Sequence, residues 1–141
     1  MSNRGKERAP IDPSAVHWAV SFLDRFDQPA EKFGIWHEME KQQDGTFRFA
    51  WYEYRQFVTE FMEGLHERHL NVVFDWGKWK WGEKLFFHPN LIAQATAADC
   101  LKLITSCVRK YRFCEVFMAQ ALEQGVIAAC LKRLREFYPS E

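Results

Sequence analysis

The chain has 141 residues, of which 48% are hydrophobic and 27% are charged. This composition excludes wholesale disorder, and the length fits a single globular domain. Its 19 basic and 19 acidic side chains cancel, so the chain lacks the basic excess that is typical of nucleic-acid-binding domains. No run approaches the ~18 apolar residues of a membrane span, and we expect a soluble, cytoplasmic protein with no membrane contact.

The balanced net charge conceals an uneven distribution along the chain. Residues 12–75 carry twelve acidic and six basic side chains, a net charge of −6. Residues 76–112 carry seven basic and two acidic side chains, a net charge of +5. Such asymmetry predicts either two faces of opposite sign or two halves that attract each other.

The four cysteines, at positions 100, 107, 114 and 130, do not form a CxxC pair. Without that spacing or a secretory signal, neither a zinc site nor a disulfide framework is indicated. We interpret these cysteines as buried and reduced, and we expect no metal and no cofactor.

The first elements follow a polar segment. Residues 1–11 are predicted to be a disordered tail, and residues 12–138 a single helical domain. Asp12 followed by Pro13 is typical of a helix start, and apolar residues then recur at helical spacing to about Phe26.

A tight-turn signal, Asp44–Gly45, lies in the next segment. Ile35–Glu40 and Thr46–Ala50 are able to pair across it as a short hairpin. A loop anchored by Trp36 and Phe47 is the alternative.

The helical spacing returns at Trp51 and predicts a second helix to about His69. Asn71 suits the left-handed position after this helix. Thr96 and Asp99 form a capping box that should open a third long helix, with a bend near Tyr111–Phe113.

Gly125 is predicted to end the fourth helix, and a last helix should place Phe137 in the core. The chain is therefore predicted to be mainly α: a compact single-domain bundle of about five helices, with at most a minor β-hairpin near residues 35–50.

Alternating tryptophan and lysine side chains form the first candidate site. Its members are Trp76, Lys78, Trp79, Lys80 and Trp81. Tryptophan is enriched where proteins bind each other, and aromatic and basic residues together also stack bases and contact phosphates. The segment 76–84 is thus a candidate protein-binding or nucleic-acid-binding site, unless its rings belong to the core and its lysines are simply solvated.

The second candidate site combines carboxylates and guanidinium groups. Its members are Asp75, Arg109, Arg112 and Glu115. They suit an ion-pair network that fixes the junction of two helices, or an anion site. A small enzyme would instead require Asp75, Arg112 and Glu115 to converge on one pocket. No catalytic residue is assigned.

Several short motifs support a resemblance to a known family. They are Phe74–Asp75–Trp76 with Trp79, Ala98–Asp99, Leu103, Thr105, Arg109, Arg112–Phe113–Cys114–Glu115, Gly125 and Leu131–Arg133–Leu134. Over roughly residues 15–137 the chain resembles a small family of bacterial proteins carried as a domain of unknown function. The resemblance implies a bacterial or phage origin and a compact helical domain, but no reaction.

These observations favour a small bacterial or phage protein that binds a protein partner and regulates or inhibits it. The first alternative is an accessory protein that binds nucleic acid through residues 76–84. The second is a small enzyme with a pocket at Asp75, Arg112 and Glu115.

Overall fold

The computed structural model describes residues 11–27, 33–75, 78–111 and 115–139. The helices are α1 (Pro13–Val20), α2 (Leu23–Phe26), α3 (Gln56–Glu67), α4 (Lys80–Phe87), a 3-10 helix (Pro89–Gln94), α5 (Ala97–Tyr111), α6 (Glu115–Glu123) and α7 (Val126–Phe137). The strands are β1 (Gly34–His37), β2 (Glu40–Lys41), β3 (Phe47–Arg48) and β4 (Trp51–Tyr54). The prediction of a mainly α domain with a minor hairpin is confirmed.

The described residues contain seven α-helices, whereas the sequence predicted about five. The first predicted helix divides at Ser21, whose hydroxyl donates to the Trp18 carbonyl and competes with the regular helical bonds. The second addition is α4, which forms within the tryptophan–lysine segment.

The strands form one hairpin with a continuous register. In its base, Gly34 lies opposite Tyr54 and His37 lies opposite Trp51. Nearer the tip, Glu40 lies opposite Arg48, so two residues on each arm separate the two ladders. At the tip, the Gln42 N–H donates to the Thr46 carbonyl at 2.6 Å and closes a three-residue loop, within which the Gly45 N–H donates to the Gln42 carbonyl at 3.1 Å.

This pairing corrects the prediction that the second helix begins at Trp51. Trp51–Tyr54 is strand β4, and α3 begins at Gln56 after Arg55 in an extended conformation. In β4, Tyr52 and Tyr54 alternate with Glu53, as is typical of a strand. The sequence alone favours a helix here, but hydrogen bonding to β1 makes the segment a strand.

The end of α3 is a Schellman motif built around a histidine. The Leu70 N–H donates to the Leu65 carbonyl at 2.9 Å, and the His69 N–H to the His66 carbonyl at 3.1 Å. His69 has φ 57, so it occupies the left-handed position that had been assigned to Asn71. Leu65 and Leu70 are both buried and complete the apolar contact of the motif.

Helix α5 lies at the centre of the molecule and contacts α4, α6 and α7. Its buried residues are Cys100, Leu101, Leu103, Ile104, Thr105, Ser106 and Cys107. The capping box is confirmed: the Asp99 N–H donates to Thr96 Oγ1 at 3.0 Å, and the Thr96 N–H donates to Asp99 Oδ2 at 3.3 Å.

Gly125 separates the last two helices, as predicted, with φ 81. Helix α7 packs against α1, α2, α5 and α6 through a buried face that includes Ile127 and Leu134. Phe137 was predicted to be inside, but 45% of it is exposed and it lies beneath the Arg133 guanidinium at 4.5 Å.

A buried hydroxyl connects the segment after α3 to the central helix, and its removal should destabilise the fold. Thr105 Oγ1 accepts the Val72 N–H at 2.9 Å and donates to the Leu101 carbonyl at 2.8 Å. Thr105→Val leaves the buried Val72 N–H unpaired, so we expect urea denaturation to show that the free energy of unfolding falls by about 1–3 kcal/mol. Thr105→Ser retains the hydroxyl and is the matched control. A valine variant as stable as the serine variant would contradict this role.

The left-handed histidine predicts a stabilising substitution. A residue with a Cβ pays about 1–2 kcal/mol to adopt this conformation, and glycine does not. The greater flexibility of glycine in the unfolded chain cancels part of this gain. His69→Gly should therefore raise the free energy of unfolding by about 0.5–1 kcal/mol. The converse control is Gly125→Ala, where a Cβ meets open space, so that any stability loss reflects the backbone alone. Thermal and urea unfolding of both variants test the prediction, and a destabilised His69→Gly variant would refute it.

Candidate protein-interaction surface

Trp79 of the first candidate site packs into the helical body. Its ring makes an edge-to-face contact with Phe74, with centroids 5.4 Å apart. It also lies against Gly82, where any Cβ would overlap the indole ring. The Lys102 ammonium is 5.7 Å from the ring centroid. The ring is thus already engaged on several sides.

Trp81 connects α4 to α5 through a polar contact. Its Nε1–H donates to Asp99 Oδ2 at 3.3 Å, the same oxygen that accepts the Thr96 N–H. Asp99 therefore caps α5 and fixes α4 with one carboxylate. This contact and the packing of Trp79 indicate structural roles for both rings.

The lysines of this segment lie on the surface. Lys78 Nζ is 3.9 Å from Asp75, and Lys80 Nζ is 3.7 Å from Glu83. Exposed pairs of this kind contribute little to stability. Trp76 lies outside the described residues, so the arrangement of all three tryptophans is not defined.

Only part of the second candidate site can be placed. Arg109 is half-buried on α5, and Asp75 is exposed beside Lys78. Arg112 and the side chain of Glu115 lie outside the described residues. Among the residues that are described, Asp75 lies near the Lys78 ammonium, and Asp99 accepts a hydrogen bond from the Trp81 indole.

Two further features concern metals and membranes. In the described ranges, no group of three or more His, Cys, Asp or Glu side chains has the geometry to hold a metal ion. No helix there has the length and apolar character needed to cross a bilayer.

The surface that stands out is the hairpin, which sequence reasoning did not select as a site. Every residue from 38 to 50 is exposed, so the outer half of the hairpin projects into solvent. We define the hairpin patch as four large exposed apolar residues of the hairpin, three of which lie on its projecting half. They are Ile35, Met39, Phe47 and Phe49. Phe49 is 80% exposed, and Phe47 does not anchor a loop as the alternative interpretation had it.

The register of the base ladder assigns Ile35 to one face of the hairpin. Side chains alternate along a strand, and Ile35 pairs with Glu53, so both lie on the face opposite Tyr52 and Tyr54. Tyr52 and Tyr54 belong to β4, which packs against α6. Ile35 therefore faces away from the side by which the hairpin is attached, and Met39, Phe47 and Phe49 lie on the exposed outer half.

An aromatic and charged cluster lies between Ile35 and the outer members of the patch. His37 stacks on Trp51 with ring centroids 4.4 Å apart, and His37 Nε2 is 2.8 Å from Glu53 Oε1. The Arg48 guanidinium lies 4.5 Å from the Trp51 ring centroid. These contacts hold the half-buried His37 and Trp51 rings in a defined arrangement.

A signal for this surface was present in the sequence. Phe47, Phe49 and Trp51 alternate with Arg48 and Ala50 directly after the Asp44–Gly45 turn. Alternation with period two predicts a strand with one apolar face. The helical spacing that begins at Trp51 concealed the second half of this strand.

The match to a family model extends over both the hairpin and the helices. A model described as a family of unknown function, DUF6508, matches residues 13–140. The chain belongs to this family. The resemblance inferred from the sequence is therefore confirmed, and it brings no reaction or ligand with it. Comparisons with curated proteins and with solved structures gave no significant match.

The attachment of the hairpin to the helices yields a testable prediction. Tyr54 Oη accepts the Ala119 N–H of α6 at 3.0 Å. We expect Tyr54→Phe to lower the free energy of unfolding by about 1 kcal/mol, since one hydrogen bond is lost while the ring packing remains. Amide hydrogen exchange should accelerate in β1 and β4 more than in α7. Uniform acceleration throughout the chain would argue against a local tether.

Proposed function

We propose that the chain binds a protein partner through the hairpin patch and that it regulates or inhibits that partner. The observation that carries the proposal is the projecting arm with its exposed apolar side chains. At their exposed fractions, these side chains present on the order of 500 Å² of apolar surface, near the upper range for the largest patch on a monomer. Patches of this size on soluble proteins commonly mark interaction sites.

The arm gains little from packing within its own chain. An isolated two-stranded hairpin is marginally stable in water, and residues 38–50 are all exposed. Large apolar side chains at these positions expose apolar surface without contributing to the core. A partner that covers Phe49 and Met39 would remove that surface from water.

Charge favours a partner with a particular surface. The hairpin, residues 34–54, carries four acidic side chains and two basic ones. The acidic residues are Glu38, Glu40, Asp44 and Glu53. We infer that the partner presents an apolar patch on a surface that carries more lysine and arginine than acidic side chains. A second copy of this chain would instead bring two hairpins of net negative charge together, which electrostatics disfavours.

The cellular setting forms part of the proposal. The free, buried cysteines Cys100, Cys107 and Cys130 are compatible with the reducing cytoplasm. The bacterial or phage origin is part of the proposal and rests on the sequence resemblance alone.

A photoreactive phenylalanine analogue at position 49 tests the proposal directly. The matched control carries the same analogue at position 73, because Val73 is 88% exposed but lies outside the hairpin. Proteins crosslinked in bacterial cells at position 49 and not at position 73 would be identified and purified. Their affinity for the wild-type chain would then be measured.

The affinity should depend on the hairpin patch. We expect Met39→Glu and Phe49→Glu each to weaken binding by at least about tenfold, since both place a charge in an apolar contact. Val73→Glu should leave the affinity unchanged. Equal crosslinking at positions 49 and 73, or binding that neither patch variant weakens, would refute the proposal. A crosslink only to a second copy of the chain would refute a partner with a basic surface.

A further inference from the structure

The backbone hydrogen bonds of strand β1 alternate along the strand. The Arg55 N–H donates to the Phe33 carbonyl at 2.8 Å, directly before the β1–β4 ladder begins. In an antiparallel ladder, every second pair of opposite residues exchanges hydrogen bonds. Ile35 and His37 share the alternation of Phe33, so they direct their N–H and C=O groups toward β4.

The intervening residues, Gly34 and Trp36, direct these groups toward the outer edge of β1. Within the described ranges, no backbone group outside the ladder bonds to the N–H of either residue. Trp36 is 45% exposed and Ile35 is 57% exposed, so solvent reaches this edge. The edge is thus a row of unpaired donors and acceptors, of the kind that pairs with a strand from another chain.

Strand β1 lacks the side chains that commonly block a sheet edge. Its residues, Gly34–His37, include no proline, lysine or carboxylate. Among the described elements, β1 packs mainly against β4. Its short length gives partial protection from non-specific pairing, so a specific partner needs side-chain contacts as well.

Side chains on both faces of β1 are placed to contact an added strand. Ile35 lies on the face turned away from the helices. Trp36 lies on the opposite face beside Tyr52, with ring centroids 6.4 Å apart. Cross-strand pairs of aromatic and β-branched residues stabilise a sheet, so valine or isoleucine in an added strand fits beside these side chains.

Charge near the edge favours a basic segment. Glu38 directly follows β1 and is exposed. The hairpin as a whole carries four acidic and two basic side chains. Lysine or arginine in the added strand is therefore favoured, whereas a second copy of β1 would bring like charges together.

We propose that the partner adds a short extended segment to the outer edge of β1, in which β-branched residues alternate with lysine or arginine. The inference rests on the proposed function, because it specifies how the partner of the hairpin patch is held. Main-chain hydrogen bonds to Gly34 and Trp36 provide the attachment, and the side chains beside Ile35 and Trp36 select the sequence.

A synthetic hexapeptide of alternating lysine and valine, with both termini blocked, is the probe. In the free chain, the amides of Gly34 and Trp36 should exchange with deuterium faster than those of Ile35 and His37. Two-dimensional NMR should show saturable binding of the peptide in the millimolar range. At a peptide concentration ten times the Kd, exchange at Gly34 and Trp36 should slow by about tenfold.

A hexapeptide of alternating glutamate and valine is the matched control for charge. It has the same length and the same alternation, but it brings negative charge to an acidic hairpin. We expect it to bind at least about tenfold more weakly than the lysine–valine peptide.

Two variants at one position test the hydrogen bond itself. Trp36→Pro removes the outward N–H and leaves the ladder to β4 intact, and proline is tolerated on sheet edges. Trp36→Val also loses the ring but keeps the N–H. The proline variant should bind the lysine–valine peptide at least about tenfold more weakly than the valine variant. Exchange at Gly34 and Trp36 of the wild-type chain decides the question if the proline variant does not fold.

Four results would overturn the inference. The first is slow exchange at Gly34 and Trp36 in the free chain. The second is the absence of saturable peptide binding, and the third is binding that leaves both amides unprotected. The fourth is equal affinity for the two peptides, or of the proline and valine variants for the lysine–valine peptide.

These outcomes are distinct from failure of the proposed function. A protein that crosslinks at position 49 and depends on Met39 and Phe49 supports the hairpin patch as its binding site. If that protein leaves the amides of Gly34 and Trp36 in fast exchange, it binds through side chains alone. The edge inference would then be wrong, and the proposed function would stand.

Discussion

The burial of helix α5 is the constraint on which the rest of the fold depends. From Cys100 to Cys107 nearly every side chain of this helix is inaccessible to solvent. A helix surrounded in this way cannot direct its polar groups to water, so each needs an internal partner. Thr105 meets this need by bonding both Val72 and Leu101, and Ser106 donates to the Lys102 carbonyl. At the start of the helix, the Asp99 N–H donates to the Thr96 hydroxyl and its carboxylate accepts from Trp81.

This central position explains which parts of the fold the sequence could predict. The Thr96–Asp99 capping box and the stop at Gly125 are local signals, readable because the residues involved are neighbours in the chain. The helical stripes of α3, α5 and α7 were equally visible, since each buries one consistent face. Local signals alone were also enough to suggest a hairpin around Asp44–Gly45.

The errors arose where distant contacts decided between alternatives. Trp51 and Tyr54 are spaced like the first turn of a helix, and only pairing with β1 makes them a strand. His69 has the left-handed conformation because the helix ends there, where the Leu70 N–H bonds back to the Leu65 carbonyl and the His69 N–H to the His66 carbonyl.

The candidate sites were harder to predict than the fold. The spacing of Trp79 and Trp81 in the sequence suits a binding site. In the structure Trp79 packs against Gly82 and Trp81 donates to Asp99, and residue spacing alone does not predict these contacts. A tryptophan in a sequence carries no indication of whether its ring will find a partner inside the chain. The hairpin residues were overlooked for the opposite reason, since an exposed position can be recognised only when the body has been assembled.

The high aromatic content of the chain can now be divided according to what each group of rings contacts. Phe26 contacts two other buried rings, with its centroid 4.9 Å from that of Phe61 and 5.6 Å from that of Phe57. Packing in the hydrophobic core explains why the chain contains these rings. Phe47 and Phe49 have no comparable burial, although they occur in the same chain under the same folding forces. Because the core already encloses its own set of rings, the rings on the projecting arm require a different explanation, and the protein partner proposed above is the one we offer.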